Sequence, residues 1–411
     1  MMPPPSPAAA RADTRVLFAS RLLRMFAYGM LGVVLVLFLV RRGLDGGKIG
    51  LLLSLTLLGD VAISLWLTVH ADRWGRRKTL VVGAVLMALG GAVMAVSENF
   101  LVLVVAATIG VISPTGGEVG PFQAVEQACL AQEVADRNRT RLFAWYNLAG
   151  YLASALGALA VGWFLGVSRF DDLTAYGVVF WTYAGCGLAL GGLALRLSPA
   201  VEAPAGDARV TTGPTFLGLH ESRSLVLRLS ALFALDSFGG GFVLQSFLAW
   251  WLQQKFGADP AVLGAVFFGT NLLSGVSGLA AVPLAKKIGL INTMVWTHLP
   301  SNLLLILVPL MPTLPLAITL LLARHLLSQM DVPTRASYLS AIIPPGERSA
   351  ANGATSTAKQ LGTALGPLIA GRLFGASAAT GLPFFVCGVL KTSYDLMLWR
   401  AFRATKPPEE K

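Results

Sequence analysis

The sequence has few charged residues, few cysteines and few histidines, and each shortage excludes a class of protein. Only 13% of its 411 residues are charged, against 55% in the hydrophobic set, whereas a soluble domain averages about a quarter charged residues. A water-soluble enzyme is therefore not expected, and the apolar fraction is too high for low-complexity disorder. The cysteines, Cys129, Cys186 and Cys387, form no CxxC pair and predict no disulfide framework; with four scattered histidines they predict no zinc or haem site either.

Long apolar runs are abundant instead, and twelve of them reach the length of about 20 residues that a helix needs to cross a bilayer. The predicted spans, numbered 1 to 12 along the chain, are 17–40, 49–70, 79–97, 100–131, 142–166, 173–195, 224–252, 261–285, 290–309, 314–342, 350–371 and 380–400. The even number predicts both termini on one side. Most Lys and Arg residues between spans lie on that side, so the positive-inside rule predicts cytoplasmic termini. We expect a multi-pass protein of a bacterial inner membrane, and its net charge of +11 requires no nucleic acid.

The chain divides near its middle into two similar parts. A polar interval rich in Pro, Gly and Thr lies at 197–222, which predicts an N-terminal six-helix bundle with a short disordered tail over 1–196, a cytoplasmic linker, and a C-terminal six-helix bundle over 223–411. A shift of 209 residues places WFLG on RLFG, and a shift of 207 places Phe26 on Phe233. These matches predict an all-α membrane protein of two pseudo-symmetric six-helix bundles.

The sharpest local signal is the segment LTVHADRWGRRKTL, which follows span 2. Its candidate functional residues are Asp72, Arg73, Gly75, Arg76, Arg77 and Lys78. They resemble the G-x-x-x-D-R-x-G-R-R-K signature between the second and third helices of the major facilitator superfamily, with Thr68 in place of the leading glycine. A basic cluster that only orients the helix is the alternative. The second half has a partial copy, PLAKKIGL, which lacks the aspartate.

The resemblance implies two six-helix bundles around a central cavity, alternating access, and a cytoplasmic latch that breaks in each transport cycle. A carboxylate at a helix end can be held by a neighbouring helix N-terminus and by nearby arginines. Arg137 or Arg139, in the next cytoplasmic interval, is the expected partner of the motif aspartate.

Ionisable residues inside the predicted spans are further candidates, because each is costly in lipid and should face a cavity or a partner. They are Arg21, Arg24, Asp60, Glu118, Glu126, Asp236, Arg324, His325, Asp331, Arg335, Lys359, Lys391 and Asp395. In the superfamily that the motif resembles, spans 1, 4, 7 and 10 line the cavity, which would place most of these residues along the transport path.

Three of the acids, Glu118, Asp60 and Asp236, are candidates for proton coupling. Glu118 lies in span 4, where Pro114 and Pro121 surround a double glycine, and an opened turn of this kind can bind ions or substrate. The alternative for Glu118 is a hydrogen-bonded side chain that only braces the kink. Asp60 and Asp236 could also simply pair with Arg24.

The remaining candidates for the cavity, the substrate or a gate are Arg24, Glu126, Arg324, Asp331 and Arg335. A shift of 209 places Arg335 on Glu126, which predicts an ion pair between the two halves. A local pair between Asp331 and Arg335, spaced i,i+4, is equally consistent with the sequence.

Two further patterns predict structure without function. Lys391 and Asp395 are also spaced i,i+4 and predict a structural ion pair in span 12. Spans 5 and 11 are rich in small residues, which predicts close helix packing. These are Gly150, Ser154, Gly157, Gly162, Gly353, Gly362, Gly366, Pro367 and Gly371.

Together these features predict a monomeric secondary transporter for proton-coupled export of a small amphipathic compound. No GxxxxGK[ST] loop occurs, so the proton gradient is the expected energy source and no cofactor or metal is expected. The alternative is proton-coupled uptake or facilitated diffusion of a small organic anion, bound by Arg24, Arg324 and Arg335. A non-transporting sensor is a remote alternative, since the 26-residue linker is too short for a soluble domain. An enzyme is not expected, because no nucleophile with a base and no metal set is clustered.

Overall fold

The computed structural model describes residues 7–133, 136–202, 219, 221–376 and 381–405. The first half of this part of the chain forms the helices α1 (Pro7–Arg41), α2 (Gly46–Trp74), α3 (Arg76–Val96), α4 (Phe100–Ile109), α5 (Phe122–Glu133), α6 (Asp136–Val167) and α7 (Asp172–Leu195). The second half forms α8 (Arg223–Gly240), α9 (Gln245–Phe256), α10 (Pro260–Ile288), α11 (Leu290–Leu307), α12 (Leu314–Ser328), α13 (Asp331–Ile342), α14 (Arg348–Ala376) and α15 (Leu382–Phe402).

These helices fit the twelve predicted spans, of which three are divided into two helices. Span 4 is divided between α4 and α5 by Gly110–Pro121, a segment that contains the predicted prolines and glycines. Span 7 is divided by the 3-10 turn Gly241–Val243. Span 10 is divided at Gln329 and Met330, because Pro333 at the third position of α13 has no N–H to continue the ladder of α12.

Eight helical segments in the described part of the chain are long and apolar enough on their own to cross a membrane. The other four predicted spans are 4 and 10, which are divided, and 11 and 12, whose helices are more polar. The polar groups of these four spans must be satisfied by neighbouring helices.

The helices form two compact units with matching internal packing. In the first, α1 packs on α6 and α7, and α3 packs on α7. In the second, α8 packs on α14 and α15, and α11 packs on α15. The first unit also contains Asp259–Phe268 from the second half of the chain, and the second unit also contains Asp45–Ser54 from the first half. The linker boundaries at 197 and 222 stay a prediction, because most of that interval lies outside the described residues.

Close helix packing at the small residues of spans 5 and 11 is confirmed. A Cβ on Gly157 of α6 would overlap the backbone of Phe26 in α1, and a Cβ on Gly362 of α14 would overlap the backbone of Ala234 in α8. The helix pairs that cross here, α1 with α6 and α8 with α14, correspond to each other in the two units. Gly353 is an exception, because a Cβ there would meet nothing within 4 Å.

Candidate functional site

The first unit contains a buried charge cluster centred on Arg24, whose side chain is fully inaccessible to solvent. Its guanidinium donates to both carboxylate oxygens of Glu126 in α5, at 2.8 Å and 2.9 Å. Its Nε donates to the Glu118 carboxylate at 2.9 Å. The Phe122 ring lies 4.7 Å from the guanidinium carbon. Tyr146 of α6 also donates to Glu126. We call Arg21, Arg24, Glu118, Glu126 and Tyr146 the α1 cluster, and its two cations balance its two acids.

The break in span 4 places Glu118 in this cluster. Gly116 and Gly120 adopt positive φ angles of 66° and 80°, which glycine tolerates, and the chain turns through the segment without a helix. Backbone carbonyls of this non-helical segment accept hydrogen bonds from neighbouring helices. Ser154 of α6 donates to Gly116 O at 2.8 Å, and Tyr28 of α1 donates to Val119 O at 3.1 Å. Glu118 then forms ion pairs with Arg21 and Arg24. The prediction that prolines and glycines open this helix is confirmed.

Asp60 of α2 lies on the other side of the same break, without a cation. Its Oδ1 accepts from the backbone N–H of Gly120 at 2.5 Å and from the Ser64 hydroxyl at 3.2 Å. Among the described residues, no Lys, Arg or His lies within ion-pair distance of Asp60. It is therefore held by hydrogen bonds alone, unlike Glu118 and Glu126.

The second unit has a cluster of its own, which we call the α8 cluster: Asp236, Asp331, Arg335 and Lys391. Arg335 of α13 pairs with Asp331 one turn earlier and with Asp236 of α8, the latter at 3.1 Å. Lys391 of α15 donates to the other Asp236 oxygen at 2.7 Å. Phe233 and Tyr394 flank the Arg335 guanidinium at 4.6 Å and 5.5 Å. The local Asp331–Arg335 pair is thus present.

The two clusters share a plan but reverse the sign of the charge on each helix. In the first unit the arginine is on span 1 and its acids are on span 4. In the second unit span 7 carries an acid, and span 10 carries the arginine at the position that the repeat aligns with Glu126. Glu126 and Arg335 each have partners inside their own unit, and the gate between them stays a prediction.

The expected ion pair between Lys391 and Asp395 is wrong. Lys391 binds Asp236, whereas Asp395 accepts from His298 of α11 at 2.9 Å and from Asn302 at 2.8 Å. The i,i+4 spacing allows a pair, but α8 and α11 both pack against α15 and provide the partners, Asp236 for Lys391 and His298 and Asn302 for Asp395. Both carboxylate oxygens of Asp395 are satisfied by α11, which leaves Lys391 free to complete the α8 cluster.

At the end of span 2, the signature segment forms a tight turn whose geometry explains its glycine. Gly75 has φ 104°, in the region that glycine tolerates, and α3 begins immediately after it. The partial copy in the second half keeps this feature, since Gly289 has φ 86° immediately before α11. Arg73 is exposed, and the side chains of Asp72 and Arg139 lie outside the described residues.

The N-terminus of α3 is capped by Glu202, a residue that the sequence did not single out. Its carboxylate accepts from the backbone N–H groups of Arg76 at 2.6 Å and Arg77 at 3.3 Å. The Arg76 guanidinium donates to Val201 O at 3.2 Å, and Arg77 donates to Leu195 O. These motif arginines therefore hold the end of the first half against α3. The sequence offers no local sign of this, because Glu202 is 126 residues from Arg76.

Replacing Glu202 with alanine is expected to lower the stability of the protein by about 1 kcal/mol, the usual cost of removing a helix cap. Glu202→Gln keeps an acceptor oxygen and should lose less. Thermal unfolding of purified protein in detergent measures both. Glu221→Ala removes an exposed carboxylate and serves as the control. Equal melting temperatures for Glu202→Ala and Glu221→Ala would contradict the cap.

The family model of the Major Facilitator Superfamily matches residues 17–235 and, a second time, residues 229–411. The chain belongs to this superfamily. Its transporter fold supports secondary transport by alternating access, and the chain is an integral multi-pass membrane protein that takes a small-molecule substrate. The two successive matches agree with the repeat seen in the packing of the two units.

Similar proteins extend over nearly the whole chain. The uncharacterized membrane protein YJR124C of Saccharomyces cerevisiae is 33% identical over 420 residues, which cover 95% of this chain and 94% of the yeast protein. The quinolone resistance protein NorA of Staphylococcus aureus is 23% identical over 374 residues, 87% of this chain and 89% of NorA. The structure of a bacterial homologue of the human lysosomal transporter Spinster superimposes with a TM-score of 0.78 at 13% identity, covering 98% of this chain and 99% of that one. This last likeness concerns the fold alone.

Proposed function

We propose that this superfamily member exports a small amphipathic compound in exchange for protons, with Asp60 as the principal proton site. The observation that carries the proposal is the contrast among the acids of the membrane spans. Glu118, Glu126, Asp236 and Asp331 each bind an arginine or a lysine, and Asp395 binds His298. Asp60 is held, within the described residues, by hydrogen bonds from Gly120 and Ser64 only. The quinolone resistance protein NorA, which is similar over most of its length, supports export and an amphipathic substrate.

Ion pairing makes the other acids poor proton carriers. Protonating Glu126 would leave the buried Arg24 with one fewer anion, and an unpaired buried charge is strongly unfavourable. The same holds for Asp236, because its carboxylate forms ion pairs with both Arg335 and Lys391. Protonating Asp60 removes a buried charge and leaves no cation without its partner, so the free-energy cost of protonation is lower than for the paired acids.

The hydrogen bond between Asp60 and Gly120 links protonation of Asp60 to the position of other residues in the first unit. An ionised carboxylate accepts the Gly120 N–H more strongly than a neutral carboxyl does. Glu118, which binds Arg24 of α1, lies two residues before Gly120 in the same non-helical segment. A proton on Asp60 therefore weakens the hydrogen bond between α2 and the non-helical segment, and Glu118 in that segment shifts relative to α1.

Replacing Asp60 with asparagine is expected to abolish gradient-driven transport while leaving exchange without a gradient. The full chain is reconstituted in proteoliposomes with an imposed pH gradient, and the accumulation of norfloxacin, a quinolone, is followed together with a lumenal pH dye. We expect Asp60→Asn to lower gradient-driven accumulation about tenfold or more relative to wild type, because the variant cannot gain or lose a proton at this position.

Asp259→Asn is the matched control, since Asp259 is an exposed residue that caps α10 through Val262 N at 2.8 Å and asparagine caps equally well. Asp236→Asn tests the contrast between Asp60, which is held by hydrogen bonds, and an acid that forms ion pairs with Arg335 and Lys391. Undiminished gradient-driven accumulation by Asp60→Asn would overturn Asp60 as the proton site. Accumulation by wild type that is indifferent to the gradient would overturn proton coupling itself.

A further inference from the structure

Arg324 of α12, in span 10, is an intramembrane cation that pairs with no acid in the described part of the chain. Among the described residues, no carboxylate lies within 4.0 Å of its guanidinium, and its Nε is buried without a hydrogen-bond acceptor. Its one side-chain hydrogen bond in that part of the chain joins Nη1 to Nε2 of His325, at 3.3 Å. Arg24 and Arg335, the other arginines considered for substrate, each bind two carboxylates, whereas the charge of Arg324 is not neutralised by an ion pair within the described residues.

The tautomer of His325 follows from this contact and keeps the site positive. Arginine only donates, so Nε2 of His325 must accept and carries no proton. The ring proton is then on Nδ1, which donates to the Ser274 hydroxyl of α10 at 3.0 Å. His325 is therefore neutral, and the hydroxyl hydrogen of Ser274 remains available to a further acceptor.

A second donor lies on the same face of α10, one turn away. Asn271 precedes Ser274 by three residues and contacts Gln245, the first residue of α9, at 3.5 Å through the Gln245 side-chain oxygen. The Gln245 amide nitrogen is buried without a hydrogen-bond acceptor in the described part of the chain. Arg324, Ser274 and Gln245 thus form a polar strip across α12, α10 and α9 that offers donors and no free carboxylate.

We infer that this strip binds the anionic group of the transported compound, a carboxylate or sulfonate on an otherwise apolar body. A guanidinium with free N–H groups pairs with such an oxyanion through charge-assisted hydrogen bonds, and the neutral donors of Ser274 and Gln245 fit its remaining oxygens. The inference rests on the proposed transport function and specifies its substrate class as an amphipathic organic anion.

The test measures binding to the purified full chain in detergent at a single pH, with four probes that share one ring system. They are 1-naphthoate, naphthalene-1-sulfonate, the neutral 1-naphthamide and the cationic 1-naphthylmethylammonium. We expect the two anions to raise the melting temperature of wild type and the neutral and cationic probes to have little effect. Arg324→Gln should weaken the apparent affinity for 1-naphthoate by about tenfold or more, and Arg324→Lys by less.

Arg400→Gln, at an exposed residue near the end of α15, makes the same change of charge and should behave like wild type. Equal stabilisation of wild type by 1-naphthoate and 1-naphthamide would overturn the inference, and so would wild-type affinity in Arg324→Gln. If that variant does not purify as a monodisperse species, the wild-type probe comparison and Arg324→Lys decide the matter. Stabilisation by phosphatidylglycerol micelles but not by 1-naphthoate would identify a lipid headgroup and also overturn it.

This measurement is independent of proton coupling. It uses no gradient and no transport, because 1-naphthoate binding is read at a single pH from the melting temperature of the purified chain. Gradient-driven norfloxacin transport without 1-naphthoate binding would overturn the anion site alone. Binding of 1-naphthoate without any response to a pH gradient would overturn the proton-coupling proposal alone.

Discussion

Replacing Arg24 with glutamine is expected to destabilise the protein by about 3–5 kcal/mol, because it leaves Glu126 charged and buried without its cation. Arg24 and Glu126 both have fully buried side chains and meet through two hydrogen bonds at 2.8 Å and 2.9 Å. Their mutual attraction offsets the cost of taking both charges out of water, and neither charge can be tolerated alone. The temperature at which half of the detergent-solubilised protein remains monodisperse measures the loss.

The double variant Arg24→Gln, Glu126→Gln should be more stable than the sum of the two single losses predicts, since it leaves neither charge unpaired. Arg41→Gln is the control for loss of an arginine ion pair. Arg41 and Asp172 are 54% and 55% exposed, so their pair is worth about 0–1 kcal/mol. If Arg24→Gln and Arg41→Gln had the same melting temperature, the α1 cluster would not be the buried ion-pair network described here.

Replacing Gly157 with alanine is expected to destabilise the first unit by about 3 kcal/mol, the upper part of the usual cost of overpacking. The added methyl group would overlap the backbone of Phe26, and backbone cannot move away by rotating a side chain. The helices α1 and α6 would have to separate along their whole crossing. In lipid, such crossings depend on close packing of small residues, since apolar burial drives helices together only weakly. The same monodispersity assay detects the effect.

Gly185→Ala provides the matched control for this substitution. Gly185 lies in the interior of α7, is exposed, and has nothing within 4 Å of the position of an added Cβ. Alanine there should leave stability unchanged or raise it slightly, because alanine is the better helix former. A loss in Gly185→Ala equal to that in Gly157→Ala would show that the helix crossing is not the cause.

The sequence and the structure agree best where the signal is local. Length and apolarity predict the spans because every backbone group in lipid must be bonded inside its own helix. The division of span 4 follows from Pro114, Pro121 and the glycines between them, since proline removes a donor from the helix ladder. The glycine of the signature motif is explained by one dihedral angle, the φ of 104° at Gly75.

The choice of partners for the charged residues could not be predicted in the same way. Lys391 and Asp395 have the spacing of an ion pair, yet each binds a different helix, because Asp236 and His298 reach them across the packing of α15. The capping of α3 by Glu202 joins residues 126 apart in the chain, and the contact of Tyr146 with Glu126 joins residues 20 apart on different helices. No short pattern encodes such pairs, so sequence reasoning identified the charged residues and missed most of their contacts.

The sequence by itself determined that this chain crosses a membrane many times as a repeated unit, because apolar length, turn residues and the placement of basic residues act within a few residues of each other. Only the tertiary structure decided which buried charges neutralise one another, and therefore that Asp60 and Arg324 have no ion pair within the part of the chain that it describes. The reason is physical: the state of a buried charge depends on what lies within a few ångströms, and helices far apart in the chain supply those neighbours.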